Sequence, residues 1–287
     1  MEYYDIKPKK DYIIKKDTLN NPPNYNNKFL ITNPPHLARN KSIFNKYDVN
    51  DLYKCIIKEI LTNECLGGII IIPLNFWSSI RKNDIKLRKL FLKKYNVVLL
   101  NIFEEKVFED TTYTICSFQF EIKTDNKKNK INIIIYLSKN KTETILNNDD
   151  NYLIGGDIYK LKLNNEYKIS RLTKKNIKDK NTNILVKCID DNKNNKISLS
   201  LVDDDKIYID ETPNLSSRTY ATLVIKPILD KKKQKKLVKK FNEYLNNHRE
   251  KYNSLFLTNY RESKDIVRKR ISFDLVYSMV QYILENF

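Results

Sequence analysis

The chain has little glycine, cysteine or histidine, and each shortage excludes a class of site. Its four glycines stand in two adjacent pairs, Gly67-Gly68 and Gly155-Gly156, which excludes a G-x-G-x-x-G dinucleotide-binding turn. The cysteines are scattered and indicate reduced, structural thiols rather than a closely spaced metal knuckle: Cys55, Cys65, Cys116 and Cys188. Only His36 and His248 could add imidazole ligands. We therefore expect no metal centre.

Long apolar runs are also missing. No stretch approaches the roughly 18 apolar residues of a membrane span, and the N-terminus "MEYYDIKPKK" lacks the apolar core of a signal peptide. A hydrophobic fraction of 41% in 287 residues is nevertheless enough to fill one large or two ordinary cores. We expect a globular intracellular protein, in the cytoplasm or, for a viral gene product, in a viral factory or virion.

Positive charge is in large excess. The 53 Lys and Arg residues outnumber the 35 Asp and Glu residues, which gives a net charge of +18. Such a surface favours a polyanionic partner, with nucleic acid as the first candidate. The abundance of Lys, Asn and Ile also indicates an AT-rich genome, which raises positive charge whatever the function. Charge alone therefore does not identify the partner.

Residues 26–122 alternate between strand and helix patterns. Strand patterns are "KFLITNPP", "GGIIIIP", "NVVLLNIFEE" and "YTICSFQFEI", and helix patterns are "VNDLYKCIIKEILTNEC" and "NDIKLRKLFLKKY". The last two strands are close enough in sequence for an antiparallel pair, and "INIIIYL" is a candidate for a further strand. This order predicts an α/β fold, a partial doubly wound sheet with an antiparallel hairpin at its edge.

Polar connectors divide the rest of the chain. Residues 123–130 and 138–151 are predicted connectors, and the second one predicts two domains, 1–150 and 151–287. The C-terminal part carries short β-like runs, "NILVKCI", "KIYIDE" and "YATLVIKPI", then a basic helix beginning "DKKKQKKLVKK" and a final helix in "ISFDLVYSMVQYILENF". It is predicted to be a basic α+β region.

The candidate site is the tetrapeptide Asn33-Pro34-Pro35-His36 at the end of an apolar strand. Ligands of doubly wound folds bind at the carboxyl ends of strands. The Asn33 amide oxygen and the Pro34 carbonyl are acceptors that could hold an exocyclic amine, and a neutral His36 ring could stack on a base. A plain strand followed by a Pro-Pro turn is the alternative, and spacing alone does not separate the two. The second copy, Asn21-Pro22-Pro23-Asn24, follows a polar segment and is predicted to be only a loop.

This tetrapeptide after an apolar strand resembles the Asn/Asp-Pro-Pro-aromatic motif of DNA amino-methyltransferases that methylate adenine at N6. That family occurs in restriction–modification systems, with relatives in large viruses. The stretches "YYDIKPK", "KKDTLNNPP", "GGIIIIPLNFWSS" and "FEEKVFEDTTYTICSFQF" are similar to further family motifs in the same order, over about residues 3–122. The resemblance implies a class I methyltransferase-like sheet and S-adenosylmethionine as the methyl donor.

The resemblance also implies roles for single residues. Asp5 would bind the ribose hydroxyls of S-adenosylmethionine and Asp17 its adenine. Asn33, Pro34, Pro35 and His36 would surround a flipped target adenine, with the amine polarised toward Asn33 and Pro34 and with no metal or covalent intermediate. Phe108 and Tyr113 would help to hold the base, and ordinary hairpin packing is the alternative for both.

Two departures from the family pattern bear on activity. His36 stands where the family usually has Tyr, Phe or Trp. The glycine-rich cofactor loop and the first strand, which should precede Asp5, are not in this sequence, so "KFLITN" would present an unpaired apolar edge. We expect a second chain to supply that strand and loop; a fragment of a split enzyme, or residues 1–25 filling the gap, are the alternatives. A catalytically inactive DNA-binding subunit of a methyltransferase complex is the alternative function.

The C-terminal region is predicted to recognise the DNA target, although an RNA target stays open. Candidate DNA contacts are Arg39, Lys41, Arg218, Tyr220, Arg261, Arg268 and Arg270, because Arg binds phosphates or guanine edges and Tyr stacks on bases. For "DKKKQKKLVKK" a merely solvated basic face is favoured. Asp157 with Glu166 and Lys168 loosely imitates a metal-dependent nuclease triplet, but such triplets arise easily when 31% of residues are charged.

Overall fold

The computed structural model describes residues 1–36, 47–109, 111, 113–125, 128–178, 182–190, 196–211, 219–262 and 267–287. The chain forms two compact units. The first comprises Met1–Phe76, Ile80–Glu109 and Thr114–Tyr152, and the second comprises Trp77–Ser79, Asp110–Tyr113 and Leu153–Phe287. None of the described helices is both long and apolar enough to cross a bilayer.

Eight strands and three helices occur among the described residues up to position 146. The strands are β1 (Tyr4–Asp5), β2 (Ile14–Lys15), β3 (Phe29–Thr32), β4 (Gly67–Pro73), β5 (Tyr95–Phe103), β6 (Ile115–Ile122), β7 (Asn129–Tyr136) and β8 (Asn140–Leu146). The helices are α1 (Leu52–Thr62), the short α2 (Asn75–Ser78) and α3 (Lys82–Lys94). The predicted helices and all predicted strands of residues 26–137 are therefore present.

A mixed six-stranded sheet, in the order β3-β4-β6-β5-β7-β8, organises the first unit. β3 pairs with β4 and β5 with β7 in parallel, whereas β6 is antiparallel to both β4 and β5, and β8 is antiparallel to β7. The β5–β6 pair is antiparallel, as predicted, but its predicted place at the edge is wrong, because β6 lies between β4 and β5. β8 also corrects the prediction of a connector over residues 138–151.

Alternation of buried and exposed side chains along the strands gives the sheet one buried face. Ile70 and Ile72 of β4 and Phe118 of β6 are fully buried, whereas Ile69, directly before Ile70, is 38% exposed. Phe91 of α3 packs against Phe118, with 5.7 Å between the ring centroids, and α1 contacts α3, so both helices lie over this face. The described residues thus form a mixed α/β layer with helices on one face; the second helical layer of a doubly wound fold is not among them.

A glycine pair permits close approach of three strands. A Cβ atom on Gly68 would lie 2.2 Å from the Leu30 carbonyl oxygen of β3, and one on Gly67 would lie 2.4 Å from the Phe120 carbonyl oxygen of β6. Both neighbours are backbone atoms, which cannot rotate away as a side chain could. Glycine at these positions is therefore what allows β3 and β6 to flank the start of β4 at this distance.

The N-terminal segment lies outside the large sheet. β1 pairs in parallel only with β2, as a separate two-stranded sheet. The stretch "YYDIKPK", which resembles a family motif, therefore contributes no strand to the large sheet in the described structure. A strand of two residues that already pairs with Ile14–Lys15 has too few backbone groups to hold a place in a second sheet.

The second unit is built on an antiparallel sheet in the order β11-β10-β12-β9, with a separate hairpin β13–β14. Its strands are β9 (Lys168–Arg171), β10 (Ile184–Lys187), β11 (Ser198–Leu201), β12 (Tyr220–Lys226), β13 (Thr258–Glu262) and β14 (Val267–Arg270), and its helices are α4 (Lys231–Lys251) and α5 (Phe273–Glu285). "KIYIDE" was predicted to be a strand, but it follows a short 3₁₀ turn at Asp204–Lys206 and makes only a single bridge, at Asp210.

The core of the second unit lies between this sheet and its two long helices. Leu237, Phe241 and Leu245 form a fully buried stripe on α4, and Met279 and Val280 of α5 belong to the same cluster. Arg249 of α4 makes a two-pronged ion pair with the buried Asp190, with N–O distances of 3.1 and 2.7 Å. The pair ties the end of α4 to the chain that leaves β10.

Substituting Gly68 tests the close approach of β3. We expect Gly68→Ala to destabilise the first unit by about 1–3 kcal/mol, because the new methyl group must push the Leu30 backbone away. Amide hydrogen exchange should also become faster along β3. Gln119→Ala, on the exposed face of β6, is the control, with an expected change within ~0.5 kcal/mol. Urea unfolding followed by circular dichroism measures both, and equal stability of the two variants would show that β3 is not packed against Gly68.

Candidate active site

Parallel strands bring the loops of the site to one edge of the sheet. β4 is parallel to β3, and β5 has the same direction as β4 because both are antiparallel to β6. The segments that follow β3, β4 and β5 therefore leave the sheet at the same edge. The Asn33-Pro34-Pro35-His36 corner directly follows β3, at the carboxyl end of the strand, as the sequence predicts.

The corner alternates between exposed and buried residues. Asn33 and Pro35 are exposed, Pro34 is buried, and His36 is half-buried. Pro34 thus anchors the turn, and the two proline rings restrict its backbone. The Asn33 side chain is accessible at the rim, where a ligand could reach its amide oxygen. The second copy, Asn21 to Asn24, lies in an irregular segment in which the Asn24 side chain accepts a hydrogen bond from the Asn26 amide at 2.9 Å.

Tertiary structure places two of the predicted base-binding rings together. The ring centroids of His36 and Phe108 are 6.1 Å apart and their planes are inclined by 51°. Phe108 lies in the segment between β5 and β6, so this contact joins the loops after β3 and β5. The Nδ1 atom of His36 is shielded from solvent and has no hydrogen-bond partner among the residues that the structure describes. An unsatisfied buried nitrogen is costly, and a bound ligand could satisfy it.

A buried threonine near the start of β6 was missed in the sequence. Thr114 accepts a hydrogen bond from the Leu74 amide through its carbonyl, at 2.8 Å, which fixes the segment after β4 to the start of β6. Its Oγ1 atom is shielded and, within the described part of the chain, has no partner. The only sequence signal was the polar run "TTYT" directly before an apolar strand.

A buried charged cluster supports the segment after β4. Arg88 of α3 is fully buried and its Nη1 donates to the Phe76 carbonyl at 2.7 Å, while its Nε donates to the Asn151 carbonyl at 3.2 Å. Burial lowers the pKa of Arg88 to about 10. Lys54 of α1 pairs with Asp84 of α3 at 2.5 Å, both buried. The Arg88 hydrogen bond thus fixes α2, which follows β4, and the Lys54–Asp84 ion pair joins α1 to α3.

The two acids expected to bind S-adenosylmethionine accept hydrogen bonds from nearby residues of the chain. The Asp17 carboxylate accepts bonds from the Leu19 amide, the Asn20 amide and the Asn20 side chain, at 3.0, 3.2 and 2.7 Å. It therefore closes its own turn. The exposed Asp5 accepts the Lys7 amide at 2.6 Å and stands in the separate β1–β2 sheet. The roles of Asp5 and Asp17 in binding S-adenosylmethionine stay predictions.

Four other predicted contacts stay predictions. Arg39, Lys41 and Arg218 lie outside the described residues. Tyr113 belongs to the second compact unit, where its amide donates to the Thr111 hydroxyl at 3.2 Å.

The remaining DNA-contact candidates lie near one end of the four-stranded sheet of the second unit. The Cys188 amide donates to the Thr219 carbonyl at 2.8 Å, and the Cys188 carbonyl accepts the Ile271 amide at 3.0 Å. This places the start of β12, with Tyr220, beside the end of β14, with Arg270. Arg268 is exposed on β14 and lies opposite Arg261 in the hairpin register. The Lys187 ammonium lies 5.7 Å from the Tyr220 ring centroid.

The residues of the nuclease-like triplet make other contacts. One Asp157 oxygen lies 3.7 Å from His248 Nε2, and the other accepts the Tyr252 hydroxyl at 3.5 Å. Burial lowers the pKa of His248. Glu166 and Lys168 are exposed. Across the described ranges, no group of three or more His, Cys, Asp or Glu side chains could hold a metal ion.

Comparisons with known proteins give weak structural similarities only. No family model and no curated protein sequence matches the chain. A modification subunit of a putative type I restriction enzyme from Vibrio vulnificus YJ016 is similar at 12% identity and a TM-score of 0.37, over 47% of this chain and 38% of that chain. A chain from a type I restriction–modification system has 14% identity and a TM-score of 0.34, over 43% of this chain and 27% of that chain. The type IIL restriction–modification enzyme MmeI, in complex with DNA, has 15% identity and a TM-score of 0.29, over 41% of this chain and 18% of that chain. The chain thus spans less than two fifths of each.

A double-mutant cycle tests whether the two rings of the corner contact each other. We expect His36→Ala and Phe108→Ala to be non-additive by about 0.5–1.5 kcal/mol in unfolding free energy, the usual coupling of an aromatic pair. His36→Ala combined with Tyr136→Ala, in β7, is the control and should be additive within ~0.5 kcal/mol. Additivity in both cycles would mean that the loops after β3 and β5 are not joined in solution.

Proposed function

We propose that this chain is the target-base-binding part of a DNA adenine-N6 methyltransferase of the restriction–modification type. The observation that carries the proposal is the placement of the Asn33–His36 corner. It stands at the carboxyl end of β3, on the edge shared with the loops after β4 and β5, with His36 against Phe108. A Pro-Pro turn without function would not need a shielded imidazole nitrogen that has no partner among the described residues.

Asn33 and Pro34 would hold the amine of the target adenine. The amide oxygen of Asn33, at the exposed rim, accepts one N6 hydrogen and the Pro34 carbonyl accepts the other. The N6 lone pair is ordinarily delocalised into the ring, which makes the amine a poor nucleophile. Two acceptors that draw on its hydrogens return electron density to nitrogen. The rigid proline turn keeps both acceptors in place without a loss of backbone entropy on binding.

His36 and Phe108 would provide the stacking surface for the extruded base. A base sandwiched between two rings needs roughly 7 Å between parallel planes, twice a van der Waals contact. The observed 6.1 Å and 51° leave no such slot. The base would therefore stack on the outer face of one ring, with a polar edge directed to His36 Nδ1.

S-adenosylmethionine is the methyl donor that the family resemblance implies. Asp17 is committed to its own turn and Asp5 to the β1–β2 sheet, so we assign the donor site to another polypeptide segment and no methyl-transfer step to this chain alone. The same two observations favour a second candidate function, a catalytically inactive DNA-binding subunit of a methyltransferase complex.

The outer edge of β3 is where we propose that a second chain binds. Phe29 and Ile31 are 72% and 76% exposed. The Leu66 amide donates to the Lys28 carbonyl at 3.0 Å, so by alternation the backbone groups of Phe29 and Ile31 point away from β4. The opposite edge, β8, carries Lys141 and Glu143 and is protected as lone edges usually are. The partner would add a strand to β3 and contribute the glycine-rich cofactor loop.

The two edges of the sheet provide a matched test of this pairing. We expect the isolated chain to self-associate with rising concentration through β3, and Ile31→Lys to abolish that association because a charge on an edge strand opposes pairing. Ile145→Lys, at a 50% exposed position of β8, is the control and should leave it unchanged. Light scattering after size-exclusion chromatography measures both. A wild-type chain that stays monomeric at every concentration, or equal effects of the two variants, would contradict the proposal.

The two copies of Asn-Pro-Pro provide a matched test of the base site. In a complex with a copurified partner chain, Asn33→Ala should lower the transfer of labelled methyl groups from S-adenosylmethionine to unmethylated DNA at least ~100-fold, because one of two amine acceptors is lost. Its affinity for DNA should stay within about twofold, since phosphate contacts dominate binding. Asn21→Ala, in the second copy, should leave both unchanged.

Calorimetry separates the two candidate functions. Heat on adding S-adenosylmethionine to the isolated wild-type chain, together with methyl transfer, would support an enzyme complete in this chain. No heat, with transfer only in the presence of a copurified partner, would support the base-binding part of a split enzyme. No transfer under either condition would leave the inactive subunit. Full activity of Asn33→Ala would remove the corner from the mechanism.

A further inference from the structure

The beginning of α4 concentrates positive charge on a rigid helix. Seven of its first ten residues are lysines: Lys231, Lys232, Lys233, Lys235, Lys236, Lys239 and Lys240. Six of them are exposed, and Lys240 is half-buried. The helix runs without interruption to Lys251. The sequence alone favours a solvated face here, but the structure shows how these charges are arranged.

The lysines occupy the side of the helix opposite its buried stripe. Gln234, Leu237 and Phe241 face the core. At 100° per residue, the helix face farthest from them carries Lys232, Lys235, Lys236 and Lys239, which we call the lysine face. At about 1.5 Å of rise per residue, the lysine face is about 10 Å long. That length covers about three phosphates of one DNA strand, at 3.4 Å of axial rise each.

This arrangement is unfavourable for the helix by itself. Like charges at spacing i, i+4 repel, and the segment contains four such pairs, 231–235, 232–236, 235–239 and 236–240. The N-terminal end of a helix carries positive partial charge, which favours acidic side chains, yet the first turn of α4 has none. The N-cap Asp230 accepts the Lys233 amide at 2.7 Å. Helix stability alone therefore does not account for the lysines at these positions.

Nearby carboxylates do not neutralise the lysine face. Within the described part of the chain, Lys239 alone among these lysines has a carboxylate within 4 Å, Glu243 at 3.9 Å. Asp203 pairs with Lys206 at 2.9 Å, and Asp204 accepts the Asn183 side chain at 2.6 Å, so the acids near the start of α4 are engaged elsewhere. The ammonium groups of Lys236 and Lys240 lie over the Phe287 ring, at 4.5 and 5.2 Å from its centroid.

We infer that the lysine face of α4 binds the phosphate backbone of double-stranded DNA. The choice of DNA rests on the proposed function, and the choice of phosphate rests on the charges described above. Such contacts fix the position of a protein on the duplex without reading sequence. The lysine face therefore supplies affinity and orientation, and the target base is selected elsewhere.

Two variants with the same change in net charge test the inference. The first replaces the lysine face, as K232Q/K235Q/K236Q/K239Q. The second replaces four lysines of another helix, α3, as K82Q/K86Q/K89Q/K93Q; that helix has Asp84 in its first turn. Glutamine keeps helix propensity close to that of lysine. Binding of a labelled 20-base-pair duplex to the full chain is followed by fluorescence anisotropy from about 50 to 300 mM salt.

The expected result is a difference between the two variants. Replacing the lysine face should reduce the slope of log affinity against log salt by about three to four and should weaken binding at least tenfold at low salt. Replacing the α3 lysines should leave the slope within about one unit and the affinity within about threefold. Circular dichroism should show unchanged helix content in both variants.

Four outcomes would overturn the inference. Equal weakening by the two variants would show that binding follows net charge rather than a surface. An unchanged slope in the first variant would place the phosphate contacts elsewhere. Tighter binding of an RNA duplex of the same sequence would assign the surface to another polymer. Failure of the wild-type chain to bind any duplex would overturn the DNA part of the proposed function as well, whereas the first three outcomes leave the methyl-transfer test of Asn33→Ala unaffected.

Discussion

The backbone contact between Gly68 and Leu30 is the constraint on which the candidate site depends. It holds β3, a strand of only four residues, in parallel register on β4. Because β4 and β5 run in the same direction, the segments after all three strands reach one edge of the sheet. A side chain at position 68 would move β3, and with it the Asn33-Pro34-Pro35-His36 corner, relative to Phe108. The scarce glycine of this chain is thus used where three backbones meet rather than in a phosphate-binding turn.

The corner combines rigidity with unsatisfied polar groups. Pro34 is buried and restrains the turn, whereas Asn33 is exposed at the rim. His36 packs against Phe108 and keeps a shielded nitrogen that no described residue satisfies. Buried polar atoms are normally paired, so this combination is more typical of a binding site than of a connecting loop. Asp17 provides the contrast, because its carboxylate accepts three hydrogen bonds within its own turn.

The first compact unit carries the proposed base site, and the second carries the proposed phosphate-binding surface. The first unit presents acceptors and rings for a base, together with an apolar strand edge that differs from the charged edge at β8. The second unit carries the lysine face of α4 and the convergence of Tyr220 with the β13–β14 hairpin. Affinity for a polyanion and recognition of one base need different surfaces, because phosphate contacts carry no sequence information.

The amino-acid sequence by itself determined the local elements of this protein. The 3.6-residue period placed α1, α3, α4 and α5, the apolar runs placed β3, β4, β5, β6 and β7, and the two prolines stopped β3 before the candidate corner. These features depend on interactions between near neighbours in the chain, which a sequence pattern reports directly.

Only the tertiary structure decided which elements meet. In the large sheet, β6 lies between β4 and β5, a polar segment forms β8, and Asp5 is not part of the sheet. His36 contacts Phe108, and most lysines of α4 have no counter-ion among the described residues. Strand order and long-range contacts arise from the competition of all elements for one buried surface. No local pattern encodes that competition, because the same alternation of apolar residues fits an edge strand and a central strand equally well.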